Sequence, residues 1–302
     1  MNIYLAKARG FCMGVERSIS MAKEAREKLT GEITILNEIV HNNSVVADLD
    51  NMGINRTRDL NKVNSGTLII SAHGVAPSVV QSARDKELNV IDSTCPLVTV
   101  LHKAAGYFIK KGYTVIVLGD PDHDEMKGVK GHNPEKIIVL EKIKSPEDLP
   151  EIDGNVALIS QSTQSMELFE RAAELVREKY REVKIKNTIC SATRKHQTAV
   201  VDLASRTDLL IVVGSQTSAN SRRLAQISKR LGTPAYLIDD YSEIDPVWLK
   251  EVKNIGVTAG ASTPDWAIKK VVDRISELAS SNGNTEVNVF DEKSNESSGN
   301  EE

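Results

Sequence analysis

The sequence predicts an α/β protein built from three pseudo-symmetric α/β lobes with mostly parallel sheets. Two observations predict it. Apolar, strand-like runs recur at 66–74, 113–123, 156–165, 209–221 and 255–265, each closing on Gly, Ser, His or Asn. Amphipathic segments at 16–29, 166–179, 198–205, 221–231 and 265–278 follow or separate them, which is the βα alternation of a parallel sheet. A third observation sets the number of lobes. From Cys12, Cys95 and Cys190 the next polar strand ends fall at His41, His123 and Ser218, intervals of 29, 28 and 28 residues. The second polar ends, His73, Ser162 and Ser262, lie 32, 39 and 44 residues further on.

The first lobe, residues 1–95, begins with the apolar "IYLA", a glycine and Cys12 before a helical pattern. The second, 96–190, begins after "NVIDST" and Cys95, where Pro96 removes a ladder donor and fits an element boundary. Its polar stretch 141–153 contains two prolines and reads as a surface crossing. The third lobe, 191–281, follows "VKIKNTI" and Cys190. The remainder, 282–302, is rich in Asn, Ser and Glu and reads as disordered, except that "EVNVF" at 286–290 suits a short docked strand. If the lobes meet about a pseudo-threefold axis, three cysteines and six polar strand ends converge on one cavity.

Composition narrows the function classes. In 302 residues, 40% hydrophobic and 26% charged content suits a globular chain, and a net charge of -4 argues against a general nucleic-acid binder. No apolar run is long enough for a membrane span, and three cysteines, an odd number, suit a reducing compartment. A cytoplasmic protein is the expectation. No GxGxxG or Walker lysine stands in its required context.

The three cysteines occupy equivalent strand-to-helix junctions. Converging thiolates without a fourth cysteine could hold zinc with water, or an iron–sulfur cluster with one iron lacking a protein thiolate. Spacing alone does not choose. His41, His73 and His123 follow or close apolar strands, so imidazoles can line a cavity mouth. Ser162, Thr163, Ser218, Asn220 and Ser262 stand beside turns and helix starts, where N–H groups complement phosphate oxygens, although helix capping explains several of them equally. Glu125, two residues after His123, is the best acid candidate, with Asp122 and Asp124 as competitors.

Six stretches in order, "RGFCMGVERSI", "NEIVHNNSVV", "LIISAHGVAPSV", "IDSTCPLVTVLH", "VVGSQTSANSRRL" and "GVTAGASTPDW", resemble the signature of 4-hydroxy-3-methylbut-2-enyl diphosphate reductases. They run from the first cysteine loop to Trp266 and so cover nearly all of the globular part. The resemblance implies a four-iron, four-sulfur cluster at the centre of the lobes, held by Cys12, Cys95 and Cys190, with its fourth iron facing the substrate. It implies a diphosphate pocket lined by His41, His73 and His123, with Ser218, Asn220 and Ser262 on the oxygens. Glu125 would take part in proton delivery, and Ser162 and Thr163 stand in the family's hydroxyl-bearing region. An allylic diphosphate would be the substrate, and reduced ferredoxin or flavodoxin the electron donor. The chain departs from the family pattern in three places. "HDE" replaces HPE at Asp124, with an expected loosening of that loop. "SAN" replaces SSN at Ala219, and His196 stands where arginine is common.

Overall fold

The computed structural model describes residues 1–281 and 286–291. The expected disorder of the tail falls on 282–285 and 292–302, outside the described residues. The chain runs β1 (Asn2–Leu5), α1 (Met13–Lys28), β2 (Ile33–Leu36), α2 (Asn43–Asn51), β3 (Asn55–Thr57), β4 (Thr67–Ile70), α3 (Pro77–Asp85) and β5 (Asn89–Asp92). It continues with α4 (Pro96–Lys110), β6 (Thr114–Leu118), α5 (Asp124–Lys130), β7 (Ile137–Leu140), β8 (Val156–Ser160), α6 (Met166–Lys179) and β9 (Val183–Ile185). The last part is α7 (Ser191–Arg206), β10 (Leu209–Val213), α8 (Ala219–Arg230), β11 (Ala235–Ile238), β12 (Asn254–Ala259), α9 (Asp265–Ser281) and β13 (Asn288–Asp291).

These strands form three parallel sheets, ordered β3-β2-β4-β5, β7-β6-β8-β9 and β11-β10-β12-β1-β13. The repeat expected from the cysteine spacing is therefore a repeat of strand order. The sequence reading did not resolve the edge strand of each sheet, β3, β7 or β11, because these runs are short or half-exposed. The chain's first strand also does not join the sheet of residues 33–92. β1 pairs with β12, Ile3 opposite Ile255, and fills the place that β5 and β9 hold in the other two sheets. The "EVNVF" stretch does add a strand, β13, beside β1.

By contacts the chain divides into two compact units. One contains Met1–Cys12, His41–Asn43 and the chain from Ser191 onward; the other contains Met13–Val40 and Ser44–Cys190. In the first unit, Ile3, Leu5, Ile211, Val213 and Val257 pack with α9, while Leu210 and Val212 point the other way into α7 and α8. In the second, Ile116, Leu118 and Leu158 pack against α6, and Val115, Val117 and Ile159 against α4 and α5. A strand covered by helices on both faces has no polar side, which is why "TVIVL" and "LLIVV" read as continuous apolar runs rather than alternating ones. Among the described residues, no helix is long and apolar enough to cross a membrane.

The strand order positions the polar loops. In each sheet the winding reverses between two neighbouring inner strands, β2/β4, β6/β8 and β10/β12. Loops leaving the carboxyl ends of such a pair run to opposite faces and open a crevice. Those loops lead to His41 and His73, to His123 and Ser162, and to Ser218 and Ser262. The strand next to each pair ends just before a cysteine.

Candidate functional site

Each cysteine backbone N–H is tied to the second loop of its own sheet. Cys95 donates to the Ala72 carbonyl at 3.0 Å, Cys190 to that of Ser162 at 2.9 Å, and Cys12 to that of Ala261 at 3.2 Å. The acceptors are residues adjacent to, or identical with, His73, Ser162 and Ser262, so one hydrogen bond per sheet couples a cysteine to a polar loop. All three cysteines are reduced and half-buried.

In the second unit, Cys95 caps α4 with Pro96 at the first helical position. A Cβ placed on Gly14 would stand 2.3 Å from the Cys95 Sγ, so only glycine leaves that sulfur its room. Arg17 donates to the carbonyls of Ser93 and Thr94 at 3.4 and 3.2 Å and holds the approach to the cysteine. His73 lies edge-on to His123, ring centroids 5.3 Å apart and nearly perpendicular at 88°.

His123 caps α5, its Nδ1 accepting from the Glu125 N–H at 3.2 Å, which leaves Nε2 to carry the ring proton of the neutral form. Glu125 is 1% exposed. Its Oε1 accepts from the Ser162 N–H and its Oε2 from the Ser162 hydroxyl, both at 2.7 Å. A buried carboxyl is costly without such partners, and these two orient it rigidly. Ser162 therefore spans the acid and Cys190. Thr163, half-buried, follows it. Asp124 occupies the first turn of α5, 3.9 Å from Lys127, where the helix dipole favours a carboxylate.

In the first unit, Ser262 donates to the His41 carbonyl at 3.0 Å, and Ser218 caps α8 by accepting from the Ser221 N–H at 3.3 Å. Asn220 is 4% exposed, and neither its Oδ1 nor its Nδ2 has a hydrogen-bond partner among the described residues. The unmatched Nδ2 is a donor that a bound anion could accept from, whereas Oδ1 can only accept. Ala219 and His196 are buried in α8 and α7.

Over residues 3–276 the sequence matches the family described as LytB protein. The chain belongs to the LytB protein family. A LytB relative from Trichlorobacter lovleyi, a 4-hydroxy-3-methylbut-2-enyl diphosphate reductase, is 40% identical over 284 residues, covering 93% of this chain and all of its own length. One of the same name from Mannheimia succiniciproducens is 41% identical, covering 92% and 91%. Among solved LytB structures, the E-1-hydroxy-2-methyl-but-2-enyl-4-diphosphate reductase of Plasmodium falciparum superposes with a TM-score of 0.89 at 32% identity, covering 96% of this chain and 91% of its own. A second, a structure of (E)-4-hydroxy-3-methyl-but-2-enyl diphosphate reductase, gives 0.66 at 37%, covering 91% and 99%. The family resemblance read from the six sequence stretches is thereby borne out.

Sequence reasoning missed two supporting residues in this LytB chain. Gly14 stands in the first turn of α1, a position unfavourable for glycine that signals close approach. His102 lies seven residues after Cys95, two turns along one face of α4. Its ring packs where a Cβ on Gly74 or Gly128 would stand, 3.0 and 3.2 Å away, and its Nδ1 lies 3.0 Å from Nε2 of His132. His102 thus underlies both the His73 loop and α5. Burial first, then the neighbouring His132, pushes its pKa from 6.5 down to about 4. Between those values the unfolded chain takes up a proton that the folded one refuses. Stability is therefore complete above pH 6.5 and falls on acidification through about pH 4, by on the order of 2 to 3 kcal/mol for this group. Urea denaturation of His102→Gln should show a flatter pH dependence over that window than the parent chain.

Proposed function

We propose that the chain catalyses reductive dehydroxylation of (E)-4-hydroxy-3-methylbut-2-enyl diphosphate. Two electrons and two protons convert the allylic alcohol to isopentenyl and dimethylallyl diphosphate, with release of water. The reaction would be cytoplasmic, with reduced ferredoxin or flavodoxin as electron donor; docking of a redox partner needs only a small, transient interface. Cys12, Cys95 and Cys190 would hold a four-iron, four-sulfur cluster with one iron lacking a protein thiolate. The residues fit that group: three reduced thiols follow equivalent strands, and Gly14 leaves the Cys95 sulfur unobstructed. Such a cluster supplies single electrons and a Lewis-acidic iron.

The protein's own groups do the rest. His41, His73 and His123 would face the diphosphate, and Ser218, Asn220 and Ser262 would donate to its oxygens, Ser262 by turning its hydroxyl away from the His41 carbonyl. The Asn220 amide, buried without a hydrogen-bond partner among the described residues, and the N–H groups at the start of α8 support that role. Glu125 would be the proton source. The observation that carries this reading is its double contact with Ser162, because the Ser162 hydroxyl can pass its proton to a substrate oxygen as Glu125, in its protonated form, gives its own proton to the serine and is left as a carboxylate. Thr163, next in the same loop, would contact the substrate from there.

Mössbauer spectroscopy of iron-57-labelled protein purified without oxygen tests the proposal. A distinct iron site whose signal changes on adding the allylic diphosphate is expected; absence of iron, or a loaded cluster indifferent to the compound, would refute it. Glu125→Gln should keep its iron and bind substrate, yet lose about 10²- to 10⁴-fold in kcat, because size and hydrogen-bond geometry survive while the acid does not. Near-normal turnover would remove Glu125 from proton delivery. Gly14→Ala should purify folded with depleted iron and sulfide, since its methyl group occupies the space beside the Cys95 sulfur.

A further inference from the structure

The loop that carries Cys12 is held from two sides. On one side the Cys12 N–H donates to Ala261, and Gly10, at φ +75°, lies against the loop before α9: a Cβ there would stand 3.2 Å from the Thr263 carbonyl oxygen. Only glycine adopts that backbone readily at so close an approach. On the other side is Arg9, whose side chain is 7% exposed. One guanidinium nitrogen donates to the Ala6 carbonyl at 2.6 Å, and the other meets the Asp291 carboxylate at 2.7 Å.

Asp291 is the last residue of β13. That strand is fixed independently of the ion pair. It pairs in parallel register with β1, Asn2 opposite Asn288 and Leu5 opposite Asp291. Phe290 stacks on Tyr4 with centroids 4.9 Å apart, and the N-terminal ammonium donates to the Glu286 carbonyl at 2.7 Å. Position 291 lies beyond the residues, 3–276, that match the family.

We propose that Asp291, acting through Arg9, is a positioning residue for Cys12, so that the C-terminal strand sets the place of the first cysteine. A guanidinium buried to this degree needs its counter-charge; once the charge goes, the guanidinium turns toward water and draws residues 9–12 with it. Local opening of that loop then becomes easier while the rest of the fold stays closed.

That Cys12 is a cluster ligand rests on the proposed function; that Asp291 anchors its loop does not. Hydrogen exchange followed by mass spectrometry on the full chain separates the two. Asp291→Asn should speed exchange of the peptide covering 6–12 about tenfold, leave peptides containing Cys95 and Cys190 unchanged, and lower iron per chain; Asp291→Glu should restore much of both. Arg9→Lys, which keeps the charge but loses the two-pronged geometry, should show the same local effect more weakly and guards against a variant that does not fold. Unchanged exchange at 6–12 in both Asp291→Asn and Arg9→Lys, or equal acceleration in all three peptides, would overturn the proposal. Iron absent from the parent chain, with the local effect intact, would refute the cluster and leave the anchoring standing.

Discussion

A parallel sheet whose winding reverses between two inner strands must part the loops that leave them, and the candidate site depends on that constraint. The parting occurs three times, and each time a cysteine from the adjoining strand reaches back and donates its backbone N–H to one of the parted loops. Side chains then differ among the sheets while the backbone device is the same: imidazoles on the first, an imidazole and a carboxyl on the second, hydroxyls and an amide on the third.

Buried polar chemistry is arranged in two contrasting ways around that device. Glu125 has partners for both oxygens, so its geometry is fixed before anything binds. Asn220 has none among the described residues, and its amide is unmatched in a nearly closed environment. Satisfied groups hold a shape; unsatisfied ones favour a ligand that completes them. His102 stands between the two classes: its Nδ1 meets His132, while its Nε2 has no hydrogen-bond partner among the described residues.

Much of this was legible in the sequence because period and punctuation agree. "TVIVL" and "LLIVV" are buried over their whole length, and each ends where a helix cap or glycine turn begins, so the inner strands and α6 could be placed closely. The cysteine spacing carried the repeat, since three similar strand orders generate three similar intervals. The edge strands were not legible: β3, "NRT", is exposed and polar on both faces, and only its neighbour makes it a strand. Nor was the partner of β1, because pairing between residues 2–5 and 254–257 leaves no local trace. Within the site, residues with reactive side chains announced themselves, whereas Gly14 contributes only the absence of a methyl group, and Arg9 acts through a partner 282 residues away.

The placement of β1 has a consequence for how the chain is made. Residues 2–5 are synthesised well before the strands that flank them, 254–257 and 288–291. The sheets of residues 33–92 and 114–185 contain all their strands early and can close during synthesis, whereas the third must wait with its first strand unpaired. Cys12, the first of the three cysteines to be made, is therefore held in its final place only once residues 254–261 have followed, long after the strands that precede Cys95 and Cys190 can pair.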